Sequence, residues 1–142
     1  MCVGGVMKIV NPPFSEEEFW AIGNGRTPEN SPVGHTLIFR GAPEGFELWK
    51  ICKIGEIPFG VEVESLKEAI FATNFGAKYL FTDSLALAKK LQIYLDHYLF
   101  TTRLVVIVES LEQIEEIAQL GLDGVMEKKF YQQIWREVEG DK

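Results

Sequence analysis

From Thr36 onward the chain alternates short apolar runs with stretches of helical period, the pattern of βα units feeding a parallel sheet. Strands are predicted at Thr36–Arg40 (TLIFR), Pro58–Val63 (PFGVEV), Lys78–Thr82 (KYLFT), Arg103–Val108 (RLVVIV) and Leu122–Met126 (LDGVM), with four helices between them and a fifth after. In EGFELWKICKIG no period-two alternation exists, while Glu47, Lys50 and Lys53 recur every third residue, which predicts a helix; a hairpin strand is the competing reading. Before residue 36 the pattern differs. MKIV is strand-like, Ser15 stands three residues before Glu18 at capping-box spacing and predicts a short helix in SEEEFWAIG, and NGRTPENSPVG is a loop by its turn formers. Residues 1–35 thus read as an N-terminal extension and 36–142 as the α/β domain, with residues 1–6 an upstream start that adds little.

An internal echo supports the central elements. VESLKEAIFATNFGAKYLF from Val63 and VESLEQIEEIAQLGLDGVM from Val108 share Val, Glu, Ser, Leu and one Gly at an offset of 45 residues. Each copy reads as strand, cap, helix, glycine, strand: Ser65 with Glu68 and Ser110 with Gln113 have capping-box spacing, and Gly76 and Gly121 suit the left-handed residue that ends a helix. N-capping is a complete explanation of both serines. Five such strands fit an open doubly wound sheet or part of a barrel. A full (β/α)8 barrel takes about 250 residues, so this chain would supply half of one and need a second copy, whereas an open sheet closes its core alone.

Composition narrows the possibilities. A chain of 142 residues, 46% hydrophobic, is about one domain with a sizeable core. The net charge of −7 and a pI near 4.9 argue against nucleic-acid binding, which draws on Lys and Arg to neutralise phosphates. Cys2 and Cys52 form no CxxC, which excludes a zinc or dithiol motif and fits a reducing compartment. The first apolar run has no basic leader and is cut by Pro12 and Pro13, which predicts no secretory signal, no membrane span and a cytoplasmic protein.

From Thr36 to the end the chain resembles the receiver domain of bacterial response regulators, a flavodoxin-like fold. YLFTD resembles the third receiver strand with its phosphoacceptor, here Asp83; VVIVES the fourth with its switch hydroxyl, here Ser110; GVMEKKF the fifth with its functional lysine, here Lys128, followed by Phe130. The resemblance implies an open five-stranded parallel sheet of order 2-1-3-4-5. It departs where a working receiver ends its first strand in an acidic pair that holds Mg²⁺, since TLIFRG offers Arg40 and Gly41 instead. Magnesium needs oxygen ligands and phosphoryl transfer needs the metal, so phosphotransfer is not expected. In the 2-1-3 order Arg40 would lie beside Asp83 and could pair with it in place of the metal; alternatively Arg40 faces solvent and Asp83 caps the helix near Ser84.

A second constellation is the set Glu64, Asp83, Glu109 and Glu127, each at the carboxyl end of a predicted strand, where parallel sheets bind ligands. VEVES, LFTDS and VIVES also resemble strand ends of the quinolinate phosphoribosyltransferase barrel, without its Gly-Gly turn or a basic cluster for phosphates. His35 and His97 have no second ligand at metal spacing, and no nucleotide motif is present. On the helix from Ser84 to Phe100, Leu87, Leu91, Tyr94 and Tyr98 form an apolar stripe, and Tyr131 and Trp135 lie one turn apart on the last helix; both could anchor a partner, though such pairs more often pack a core. Together these features predict a non-catalytic, receiver-like interaction or regulatory module without cofactor or metal, its binding residues Arg40, Asp83, Ser110 and Lys128, its partner a protein or a second copy held through apolar helix faces. The alternative is an α/β enzyme that binds a small ligand or a metal at the acidic strand ends, including a phosphoribosyl-handling one.

Overall fold

The structure, a computed structural model, describes residues 7–23 and 25–139. The opening residues, Cys2 among them, lie outside the described residues. The strands are β1 (Lys8–Ile9), β2 (Phe19–Ala21), β3 (Thr36–Arg40), β4 (Phe59–Glu62), β5 (Tyr79–Thr82), β6 (Arg103–Val108) and β7 (Gly124–Glu127). The helices are α1 (Glu47–Gly55), α2 (Leu66–Asn74), α3 (Leu85–Tyr98), α4 (Ile114–Gln119) and α5 (Lys128–Glu139). EGFELWKICKIG is helical, because Trp49 and Cys52, one turn apart, bury one face of α1 and the Trp49 ring meets Phe39 and Phe59 at 6.3 and 5.9 Å. The capping serines act as expected. Ser65 Oγ accepts from the Glu68 amide at 3.2 Å and Ser110 Oγ from the Glu112 amide at 3.1 Å, and Gly76 and Gly121 take φ of 83° and 74° after their helices. None of the described helices is long and apolar enough to cross a membrane.

All seven strands are parallel and form one sheet of order β1-β7-β6-β5-β4-β3-β2. This corrects the five-stranded, flavodoxin-like order 2-1-3-4-5. The five expected strands exist as β3–β7, but each lies beside the next in chain order, with no reversal after the first. Crossovers that always advance in one direction leave α1–α4 on a single face: Trp49, Ala72, Leu91 and Ile117 pack there against Leu37, Val61, Leu80, Val106 and Val125. Two further strands come from the segment expected as an extension. Phe19–Ala21 is a strand rather than a helix, since Ser15 Oγ accepts from the Glu17 amide two residues on, a turn, and Phe19 and Ala21 are buried on one side of the chain.

The opposite face is concave. Phe19 on edge strand β2 reaches the rings of Tyr79 and Phe81 on β5, three strands away, at 6.1 and 6.3 Å, which a flat sheet with a spacing of about 4.8 Å per strand would not allow. Gly60 on β4 makes the crossing possible, because a Cβ there would stand 2.6 Å from the Phe81 ring and 3.0 Å from Tyr79 Cβ. α5 lies across this hollow. Tyr131, Ile134 and Trp135 complete a second core with Val10, Ile38, Phe81, Val105 and Met126. At 4% exposure each, Tyr131 and Trp135 are core residues of the domain itself. At the amino end Glu17 is a second strut: its carboxylate accepts from Thr36 Oγ1 at 2.6 Å, Lys78 Nζ at 2.7 Å and Tyr79 Oη at 2.5 Å, tying the approach to β2 to β3 and β5.

Candidate functional site

The carboxyl ends of β3–β7 carry Arg40, Glu62, Asp83, Glu109 and Lys128. They fall into two groups. Strand parity sends Arg40 and Glu62 to the concave side, like Ile38 and Gly60 before them. There Arg40 Nε approaches Glu62 Oε1 at 3.3 Å and the guanidinium lies 4.0 Å over the Trp135 ring. Tyr131 Oη donates to the same Glu62 oxygen at 2.5 Å. Burial pushes the Tyr131 phenol well above its ordinary value, and the Glu62 charge and hydrogen bond push the same way, so the hydroxyl is a donor throughout the physiological range. The carboxylate that Arg40 meets is therefore Glu62 rather than Asp83. This group docks α5 and closes the hollow that an open barrel would present to a ligand.

The second group stays accessible. Asp83 after β5, Glu109 after β6 and Lys128 at the start of α5 line a crevice of about 170 Å³ together with Gln113 and the apolar side chains of Leu85 and Ile117. Lys128 Nζ donates to Glu109 Oε2 at 3.1 Å, with the lysine side chain 42% and the glutamate 75% exposed. Asp83 is exposed, and the helix it precedes is capped by Ser84 Oγ, which accepts from the Leu87 amide at 3.2 Å, so the aspartate is not used as a cap. Gln113 Oε1 accepts from the Glu109 amide at 3.2 Å and holds the β6 end in place. Ser110 stands beside the crevice with its oxygen engaged by the Glu112 amide.

Of the other acidic strand ends, Glu127 serves structure through its side chain and Glu64 only through its amide. Glu127 accepts from Asn11 Nδ2 at 3.2 Å while its amide donates to Asn11 Oδ1 at 3.0 Å, which fastens β1 to β7, and the Glu64 amide donates to Glu68 Oε1 at 2.8 Å. Among the described residues no three His, Cys, Asp or Glu side chains are grouped to hold a metal ion. Cys52 is buried and free, its thiol pushed up to about 12 by burial and then by the Glu29 charge. His35 lies 3.9 Å from Glu18, and His97 packs on Tyr98. Glu62 escaped the sequence argument because PFGVEV was read by its apolar positions. The signal lay in the complementary set, where Gly60 and Glu62 share a face that no apolar residue of β4 occupies.

No family model matches the chain, and no curated protein matches it. A solved structure described as the 4-hydroxy-2-oxoglutarate aldolase/2-deydro-3-deoxyphosphogluconate aldolase from TTHB1 superposes with a TM-score of 0.54 at 21% identity, over 74% of this chain and 55% of that one. The chain thus spans about half the length of the enzyme it matches, and the likeness is one of fold. The receiver-like reading, and the non-catalytic signalling module built on it, is corrected by the sheet order: the fold similar to the aldolase's is a curled, all-parallel sheet with no receiver-type reversal.

Proposed function

We propose that this chain is a small-molecule-binding α/β domain that takes a short oxo or hydroxy acid in the crevice between Asp83, Glu109 and Lys128. The observation that carries the reading is the convergence of a lysine and two carboxylates on one open crevice at the carboxyl edge of adjacent strands, the edge where parallel sheets bind ligands. The Lys128 ammonium matches a ligand carboxylate, and Asp83 and Glu109 accept from its hydroxyls. At about 170 Å³ the crevice is below the ~300 Å³ at which drug-sized pockets begin, which restricts it to a ligand of a few heavy atoms. The name of the aldolase with the related fold, which specifies a hydroxy-oxo acid, supports the same ligand class.

Titrating pyruvate and 2-oxoglutarate into the labelled protein, followed by amide chemical shifts, tests the proposal. Saturable shifts at Asp83, Glu109 and Gln113 that vanish in Lys128→Gln are expected. No saturable shift at millimolar acid, or shifts unchanged by Lys128→Gln, would refute it.

The partner expected through apolar helix faces remains a separate proposal, self-association at the outer end of α3. Leu91 of the stripe is fully buried and Leu87 and Tyr94 are half-buried, but Ile93, Tyr98 and Leu99 are 70%, 63% and 75% exposed. Light scattering decides it: a monomer at all concentrations, unchanged by Ile93→Glu with Leu99→Glu, excludes this surface.

A further inference from the structure

A cavity apart from the carboxyl-edge crevice is at the other end of the sheet. It measures about 290 Å³ and opens at the amino ends of β1, β7, β6 and β5, on the part of the concave face that α5 leaves uncovered. Its floor is apolar, made by Val10 and Val105, both about 1% exposed. Its rim is cationic. Lys8 on β1, Arg103 at the start of β6 and Lys78 just before β5 all line it, against a single lining carboxylate, Asp123.

The rim is opposite in sign to the molecule as a whole. Arg103 is 3.6 Å from Asp123 and Lys78 is 2.7 Å from Glu17, so two cations have partners. Lys8 has no carboxylate within ion-pair distance among the described residues. Three cations against Asp123 and Glu17 leave one net positive charge here, on a chain whose net charge is −7. Asp123 is also held from behind, accepting from the Leu104 amide at 3.0 Å, and its side chain, 15% exposed, anchors Arg103 at 3.6 Å. A concave, locally positive site over a low-dielectric floor concentrates anions.

The approach of Lys8 to this rim depends on Gly124. Its register partners are Lys8 on one side and Val105 on the other, and a Cβ at Gly124 would stand 2.7 Å from the Lys8 carbonyl oxygen. Glycine therefore permits the close β1–β7 contact that carries Lys8 to the cavity. Thr101 adds a hydroxyl at the mouth.

We infer that this amino-end cavity is a binding site for a small multivalent oxyanion, a phosphate or phosphate ester, held by Lys8, Arg103 and Lys78. The site is separate from the carboxyl-edge crevice and does not depend on it. Inorganic phosphate and glycerol 3-phosphate are titrated in parallel into the full chain at low ionic strength and followed by amide shifts. Shifts centred on Thr101, Leu104 and Gly124 are expected, weakening with added salt. Each of Lys8→Gln and Arg103→Gln should weaken binding about tenfold, the effect of one charge-assisted hydrogen bond. Both are exposed side chains, and the spectrum of each variant without ligand reports its fold. Tighter binding of the ester identifies a phosphorylated metabolite as the ligand, and equal binding identifies free phosphate. Shifts centred on Lys128 instead, binding that survives both substitutions, or no saturable shift would overturn the inference.

Discussion

Tyr131 and Glu62 meet across the hollow of the sheet, phenol oxygen to carboxylate oxygen at 2.5 Å, and the same carboxylate is 3.3 Å from Arg40. The contact joins the last helix to a central strand 69 residues earlier. Tyr131→Phe removes a donor to a charged, partly buried acceptor and should cost about 1–3 kcal/mol. Trp135→Ala, which also removes a buried ring, should cost about 3–5 kcal/mol. Urea denaturation measures both, and a loss below experimental error for both would mean that α5 is not part of the cooperative unit.

Glu17 should shape the acid limb of the stability curve. Burial raises its pKa, but the bonds from Lys78, Thr36 and Tyr79 and the Lys78 charge outweigh burial and leave it below the ordinary 4.5. With the folded value below the unfolded one, its contribution is complete above pH 4.5 and is lost as pH falls through the lower folded value. Glu17→Gln should therefore destabilise the protein at neutral pH, by about 1–3 kcal/mol, and flatten the fall in stability below that point. Thermal melts across the acid range compare the two slopes.

Gly60 tests the curl of the sheet. Gly60→Val places methyl groups where the Phe81 ring already sits at 2.6 Å from a Cβ, and overpacking of this kind costs about 1–3 kcal/mol. Because the concave face is affected first, the near-ultraviolet signal of Tyr79 and Tyr131 should change while the helical far-ultraviolet signal persists. A variant as stable as the parent would show that the interior is looser than these distances imply.

Lys128→Gln should leave stability almost unchanged, because its partner Glu109 is 75% exposed and exposed pairs contribute about 0–1 kcal/mol. Leu91→Ala is the contrasting case. At 0% exposure the side chain is fully in the core between α3 and the sheet, and its loss should cost about 2–5 kcal/mol. Denaturation of both variants separates a residue held for binding from one held for packing.

The strands were legible where an apolar run is long enough to register between helical stretches. TLIFR and RLVVIV occur with the expected limits, and the repeated cap, helix and glycine occur in both copies. Strand order was not legible, since five similar apolar strands can be laid down in sequence or with a reversal, and nothing in one strand states its neighbour. The evidence against a reversal was spread over distant positions: inward Tyr79, Phe81, Val105 and Ile107 with an α5 face of Tyr131, Ile134 and Trp135 to meet them. β1 and β2, at two and three residues, are too short to show a period, and the Ser15–Glu18 spacing imitated a helix start. Of the candidate residues, Asp83 and Lys128 were visible as strand ends and share a crevice. Arg40 was visible too, but its partner depended on which strand stood next to β3.

β1 and β2 have a further consequence for the behaviour of the chain in concentrated solution. Among the described residues they are the two edges of the sheet, and an exposed edge is a template on which another polypeptide can extend the ladder. Here the template is cropped. β1 offers two residues before Pro12 and Pro13, which have no amide hydrogen to donate. β2 offers three, and the Arg26 guanidinium donates to the Ala21 carbonyl at 3.4 Å. The curled sheet is thereby protected against growing into a fibre by the shortness of its own edge strands.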